Sequence, residues 1–205
     1  MSHALNVMKT TMKTQEITNY PGILDEVYDL IRHQLHLENF VIGGGMVRDA
    51  LRNSIAKDID VFVLDDGTHK TFTEAKEDIL ERTKSLPFIE SKIEWHKSEP
   101  FLVKSFSNAY GDVQVMARNI NTVEELLDTF DWNVSLFAFD GKRVYARESV
   151  EEIGVGKELK LQACTYPVST LRRGFRFSER YTMKFNKSDI VFLCNKILEK
   201  QETGV

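Results

Sequence analysis

The chain of 205 residues predicts an α+β fold: a small mixed sheet with flanking helices over residues 20–147, then a short helical appendage over residues 148–205. Three observations predict it. Apolar residues recur at helical spacing in several stretches and alternate in others. Helical and strand patterns interleave up to about residue 147. Beyond Ser149 the patterns are mainly helical, and one of the helices is basic.

Residues Gly22 to Leu37 read as an amphipathic helix, with Ile23, Leu24, Val27, Tyr28, Ile31 and Leu35 on one face. A short apolar strand, "NFVI", leads into Gly43, Gly44 and Gly45. "VRDALRN" restarts a helix, and Asn53 suits its end because Asn tolerates the left-handed conformation. "DIDVFVL" alternates and is β-branched, so it is a strand, and "DDGT" turns the chain. Lys70 to Ser85 reads as a helix with Phe72, Ala75, Ile79 and Leu80 inward. "FIESKIEWHK" and "PFLVKSFSNAY" suggest two strands, and "GDVQVMAR" another. Thr122 with Glu125 forms a capping box for a short helix, and a hairpin turns at Asp140-Gly141. Ser149 with Glu152 suggests a second capping box. A basic helix from Ser169 carries Arg172, Arg173, Arg176 and Arg180, and a last helix starts at a Ser188 cap. No Pro- or Gly-rich linker separates the two parts, so close packing between them is expected.

Composition narrows the function classes. No apolar stretch reaches the roughly 20 residues a membrane span needs, and the first twenty residues hold no signal-like apolar segment. Cys164 and Cys194 form no disulfide framework and no metal-ligand spacing; both are expected as buried thiols of a cytoplasmic protein. The net charge of -4 argues against a large RNA-wrapping surface. The histidines show no metal-ligand spacing, and Trp95 and Trp132 are expected in the core or a cleft wall.

The run Phe40 to Leu64 carries the chemistry. A strand that turns into a helix leaves backbone N–H groups unpaired, and these attract anions, phosphate above all. Glycines let the ligand approach. Arg48 would lie in the first helical turn, placed to add a charge-assisted contact. Asp58 and Asp60, at i and i+2 of a strand, project from one face. Two such carboxylates repel unless a cation sits between them, and Mg²⁺ is the natural one. A tight turn and a solvated polar strand would account for either feature alone. Together they are the layout of phosphoryl transfer: phosphate on the glycine turn, facing metal-binding carboxylates. A Walker loop would need Lys-Ser/Thr after the glycines, and a dinucleotide fingerprint needs a third spaced glycine.

"GGMVRDALRNSIAKDIDVFV", Gly44 to Val63, resembles the signature of class II CCA-adding enzymes and bacterial poly(A) polymerases. "DWNVSLFAFDG", from Asp131, is similar to that family's head-to-neck motif. "LRRGFRFSERYTMKF" is similar to its neck helix at Arg173, Arg176, Phe177 and Arg180. The resemblance implies a polymerase-β-like nucleotidyltransferase head with a helical neck. It implies Asp58 and Asp60 as ligands of Mg²⁺ (or Mn²⁺), with Asp112 as a candidate third catalytic carboxylate. It implies Gly44, Gly45, Arg48, Asp131, Arg173 and Arg176 around an NTP, with an RNA or tRNA 3′ end as acceptor. Asp131 equally suits a hydrogen bond across the head-neck junction, and a solvated basic face pairing with head carboxylates is the lesser reading of Arg172, Arg173, Arg176 and Arg180. Departures stand beside these likenesses. The family's base-reading Asp and Arg are replaced by Pro167 and Thr170, and Asn133 and Ser135 replace a motif Thr and Asn. C-then-A specificity is therefore not carried over, and a complete CCA-adding activity is not expected. A non-catalytic nucleotide-binding module is the competing expectation.

Overall fold

A computed structural model describes residues 13–65, 72–82, 84, 102–117 and 120–203. Its elements run in order: β1 (Gln15–Ile17), α1 (Ile23–Leu35), β2 (Phe40–Gly43), α2 (Gly45–Leu51), β3 (Asp58–Val63) and α3 (Phe72–Arg82). Then come β4 (Leu102–Asn108), β5 (Gly111–Ala117), α4 (Val123–Thr129), β6 (Phe137–Phe139) and β7 (Val144–Ala146). The remainder is β8 (Glu158–Leu159), α5 (Pro167–Tyr181), β9 (Lys184–Phe185) and α6 (Lys187–Thr203). The α+β class expected from the pattern is the class found. The large sheet has seven strands in the order β1-β7-β6-β2-β3-β5-β4. Only its β3–β5 pair is parallel, so the sheet is mixed.

Central strands are buried on both faces. All four residues of β2 are buried, as are Ile59, Val61 and Phe62 of β3. One face packs α1 through Leu24, Val27, Ile31 and Leu35, each fully buried. The other packs α4 through Leu126 and Leu127 against Val41, Phe62 and Met116. The first of these cores also takes in Tyr181, Met183 and Leu193 from the C-terminal helical part.

Local signals held where they were local. Asn53 has φ 52°, the left-handed end expected for it. Thr122 accepts a hydrogen bond from Glu125 N at 3.1 Å, while Glu125 reaches Asn121 N. The β6–β7 hairpin turns at Asp140, whose Oδ1 accepts from both Lys142 N and Arg143 N.

Others moved. The Ser149 cap opens a single 3-10 turn, Val150–Glu152, bonds Glu151 N rather than Glu152 N, and leaves Glu152 to pair with Lys157. Asn186, not Ser188, caps α6: its Oδ1 accepts from Ser188 N at 2.9 Å. Leu80 is 40% exposed rather than inward, because Ile79 takes the buried position. Cys194 is exposed, because Leu193 points α6 at the core and carries its neighbour outward; Cys164 is half-buried against the core. "DDGT" from Asp66 on, "FIESKIEWHK", His69, Trp95 and His96 lie outside the described residues.

Candidate functional site

The site begins with a register. β2 pairs antiparallel to β3, setting Gly43 opposite Asp60. Asp58 lies two residues earlier on the same face, beyond the end of β2, where the chain turns into α2. Gly44 makes that turn at φ 66°, a conformation that disfavours any side chain. A methyl placed on Gly44 would lie 3.9 Å from Asp60 Oδ2, and one on Gly45 would lie 4.0 Å from Asp58 Oδ1. Both carboxylates thus point at the glycine turn. The Gly44 N–H is already given to Phe137 O at 2.7 Å. No side chain caps α2, so its first-turn N–H groups, which lack intrahelical partners, are the donors left to meet an anion.

β3 pairs parallel to β5, which sets Asp112 beside Asp58 and Gln114 beside Asp60. Asp112 is exposed and accepts a short hydrogen bond from Ser107 Oγ on β4. Among the described residues no three His, Cys, Asp or Glu side chains converge in a way that could hold a metal. The donor set that fits a divalent cation is the half-buried pair Asp58 and Asp60. Two carboxylates suit Mg²⁺, which keeps waters and takes phosphate oxygens to complete its shell.

Arg48 does not stand where the helix-start argument put it. It is 2% exposed. Its Nε and Nη2 donate to Asp49 at 2.8 and 3.0 Å, and its Nη1 to Val134 O at 3.0 Å. The guanidinium lies 4.8 Å from the Tyr181 ring centroid and 5.8 Å from that of Phe177. Neighbouring aromatic rings and a buried carboxylate outcompete the turn for it. Its Nη2 still lies 3.4 Å from where a methyl on Gly45 would sit.

Asp131 and Arg173 meet each other. Arg173 Nε donates to Asp131 Oδ2 at 2.6 Å across the junction between the sheet and α5. The backbone carbonyl of Asp131 accepts from Gln162 N and Ala163 N. Arg176 is exposed on the same helix. Thr170 is 1% exposed, and its carbonyl accepts from Trp132 Nε1 at 2.9 Å. Pro167 is buried at the first turn of α5. Neither position presents a polar side chain at the surface.

Asp49 was missed by pattern. At 1% exposure it accepts from Arg48, from Arg180 Nη2 at 2.9 Å and from Tyr181 OH at 3.1 Å. The signal that could have found it was the Arg-Asp step of the glycine run itself: an acid buried mid-helix must be paired. Tyr181 shows the same environment. Burial first, offset by Arg48 and helped by Asp49, pushes its phenol up to about 12.

Comparison with solved structures finds the same architecture. A CCA-adding enzyme in complex with ATP superposes at TM-score 0.56 with 15% identity, covering 88% of this chain and 45% of its own. The Thermotoga maritima CCA-adding enzyme with tRNA gives 0.56 and 17%, covering 88% and 46%. A CCA-adding enzyme with CTP gives 0.54 and 14%, covering 91% and 48%. The chain thus spans less than half the length of these enzymes, and the likeness is one of fold. No curated protein matches. The sequence model described as "Gabija anti-defense 2 family protein" matches residues 11–153, which hold the glycine turn, both carboxylates and most of the sheet. The chain belongs to the Gabija anti-defense 2 family.

Proposed function

We propose that the protein is a Mg²⁺-dependent nucleotidyltransferase that moves a nucleoside monophosphate from an NTP to an acceptor hydroxyl. The observation that carries this reading is the aim of Asp58 and Asp60 at the Gly44–Gly45 turn. The turn and the first N–H groups of α2 would take the triphosphate. Asp58 and Asp60 would hold Mg²⁺ or Mn²⁺, which when bound neutralises charge on the triphosphate oxygens. The acceptor oxygen attacks the α-phosphorus, the bond to the bridging oxygen breaks, and pyrophosphate leaves with that electron pair. Asp112, beside Asp58 in register, would be the further carboxylate to accept the hydroxyl proton. Arg173 and Arg176 on α5 would face the nucleotide from the neck side, Arg173 after exchanging its partner Asp131.

An RNA 3′ end is the acceptor favoured by the fold's likeness to CCA-adding enzymes. The family's description adds the components of a Gabija defence, nucleic acid or protein, as acceptors to test. A cytoplasmic setting fits both. The second reading is a nucleotide-binding module without catalysis, favoured by the commitment of Arg48 to Asp49 and of Asp112 to Ser107.

Labelled NTPs, Mg²⁺ or Mn²⁺, and separate pools of tRNA, total RNA and Gabija components decide between them. Transfer of label by wild type and its loss in Asp58→Ala/Asp60→Ala is the expected result. Transfer that survives the double substitution would remove the two carboxylates from the chemistry. NTP binding with no transfer to any acceptor would favour the module.

A further inference from the structure

We propose that Asp49 is a positioning residue, the single carboxylate through which the neck helix α5 sets the pose of the glycine turn for a triphosphate. The proposal deepens the nucleotidyltransferase reading and rests on it.

Four side-chain hydrogen bonds converge on the Asp49 carboxylate, two from α2 and two from the last turn of α5. Arg48 supplies Nε and Nη2, Arg180 supplies Nη2, and Tyr181 supplies its hydroxyl. Asp49 and Arg48 are 1% and 2% exposed, so neither charge has water to turn to. Removing Asp49 leaves the buried Arg48 charge without its carboxylate, whereas removing Arg48 still leaves Arg180 and Tyr181 on Asp49. The Tyr181 ring then lies against the same guanidinium that its hydroxyl's partner holds. Phe177, one turn earlier on α5, lies over it as well.

The other end of this arrangement is the turn. Arg48 Nη2 reaches to 3.4 Å from a methyl placed on Gly45, and its Nη1 is fixed to Val134 O. Gly45 is the first residue of α2, and Asp58 faces it from β3. Arg48 stands three residues after Gly45 on the same short helix, so a shift of Arg48 is carried through α2 to the turn and its pose relative to Asp58 and Asp60. Such shifts are costly out of proportion to their size in phosphate chemistry, where catalysis is mostly positioning. Arg180 is 41% exposed and donates from outside, so α5 can deliver or withdraw that donor without unpacking the core.

Thr170 and Pro167, at the other end of α5, are buried and packed. The contacts of the neck helix with Arg48 and Asp49 of α2 come from its C-terminal part, Phe177, Arg180 and Tyr181.

The test measures binding of Mg²⁺ with ATP, and of Mg²⁺ with inorganic tripolyphosphate, by calorimetry at a temperature where every variant is folded. Tripolyphosphate isolates the turn from any contact to the base. Arg180→Ala and Tyr181→Phe should each weaken both ligands by about five-fold or more, the lower end of coupling between sites. Arg180→Lys should recover most of the loss, and Arg172→Ala, on an exposed position of α5, should match wild type. In the transfer assay the change should appear in KM for NTP more than in the folded fraction. Asp49→Asn should be the most severe. Where it fails to fold, the Arg180 and Tyr181 variants decide. Folded Arg180→Ala and Tyr181→Phe proteins with wild-type affinities would overturn the proposal while leaving the nucleotidyltransferase reading intact. A wild-type protein that binds neither ligand would overturn both.

Discussion

Tyr181 has its ring over Arg48 and its hydroxyl on Asp49, and burial pushes its phenol up to about 12. Tyr145, donating to Asp140 Oδ2 at 2.9 Å, is pushed up to about 12 by burial first and by that hydrogen bond second. An unfolded tyrosine titrates near 10. Below that pH both states keep the proton and the two residues contribute their full stability. Between about 10 and 12 the unfolded chain sheds protons that the folded one retains, so stability falls as pH rises. Spectrophotometric titration of the folded protein should therefore show a late class of phenols, and Tyr181→Phe should remove one member of it. A variant whose late class keeps its size would mean that Tyr181 titrates with the exposed tyrosines. Asp58 and Asp60 differ in kind from this buried cluster. They are half-buried and reach the turn, so Asp58→Asn should weaken Mg²⁺-dependent NTP binding while leaving the melting temperature within a few degrees of wild type. A large loss of melting temperature instead would assign Asp58 to the scaffold.

At the scale of elements, α5 owes its place to a glycine. A methyl on Gly174 would meet Trp132 Cζ2 at 2.5 Å and Phe185 Cε1 at 2.9 Å. The Trp132 ring, fully buried, packs edge-on to Phe185 at 5.7 Å and ties its N–H to Thr170 O. Gly174→Ala should therefore cost about 1–3 kcal/mol by overpacking, despite alanine's better helix propensity. Urea melts followed by far-UV circular dichroism would measure it, and an unchanged midpoint would show that α5 can lift without loss. Helices and strands were legible in sequence where their signal was short-range: the six-residue apolar stripe of α1, the alternation of β3, the Asn53 stop. The nearness of the glycine turn to Asp58 and Asp60 was legible for the same reason, since β2 leads into that turn and pairs in register with β3. Arg48 was not. The rings that lie against it, Phe177 and Tyr181, stand about 130 positions away on α5, and the carboxylate that claims it is its neighbour Asp49, buried by that same distant helix. The α6 cap was misread because Asn186 and Ser188 are both good caps two residues apart, and φ/ψ decides between them.

For the whole molecule, the sheet and the C-terminal helices share one core, and charged contacts of Arg173 with Asp131 and of Arg180 with Asp49 are among those that stitch α5 to the sheet side. The two arginines are seven residues apart, roughly 10 Å along the helix axis, so α5 is held at two points rather than hinged at one. The register of β2 on β3 has a kinetic side. Gly43 and Asp60 meet across a connection that contains only α2 and a short loop. The β3–β5 pairing closes a much longer loop, and the contacts of Asp49 with Arg180 and Tyr181 a longer one still. Loop closure slows and costs more as the separation grows. The glycine turn and its two carboxylates should therefore assemble early, and their bracing by the neck last. Pulsed hydrogen exchange during refolding should protect β2 and β3 amides before those of α5. The part of the protein that would meet phosphate then exists, briefly and unbraced, before the part that steadies it.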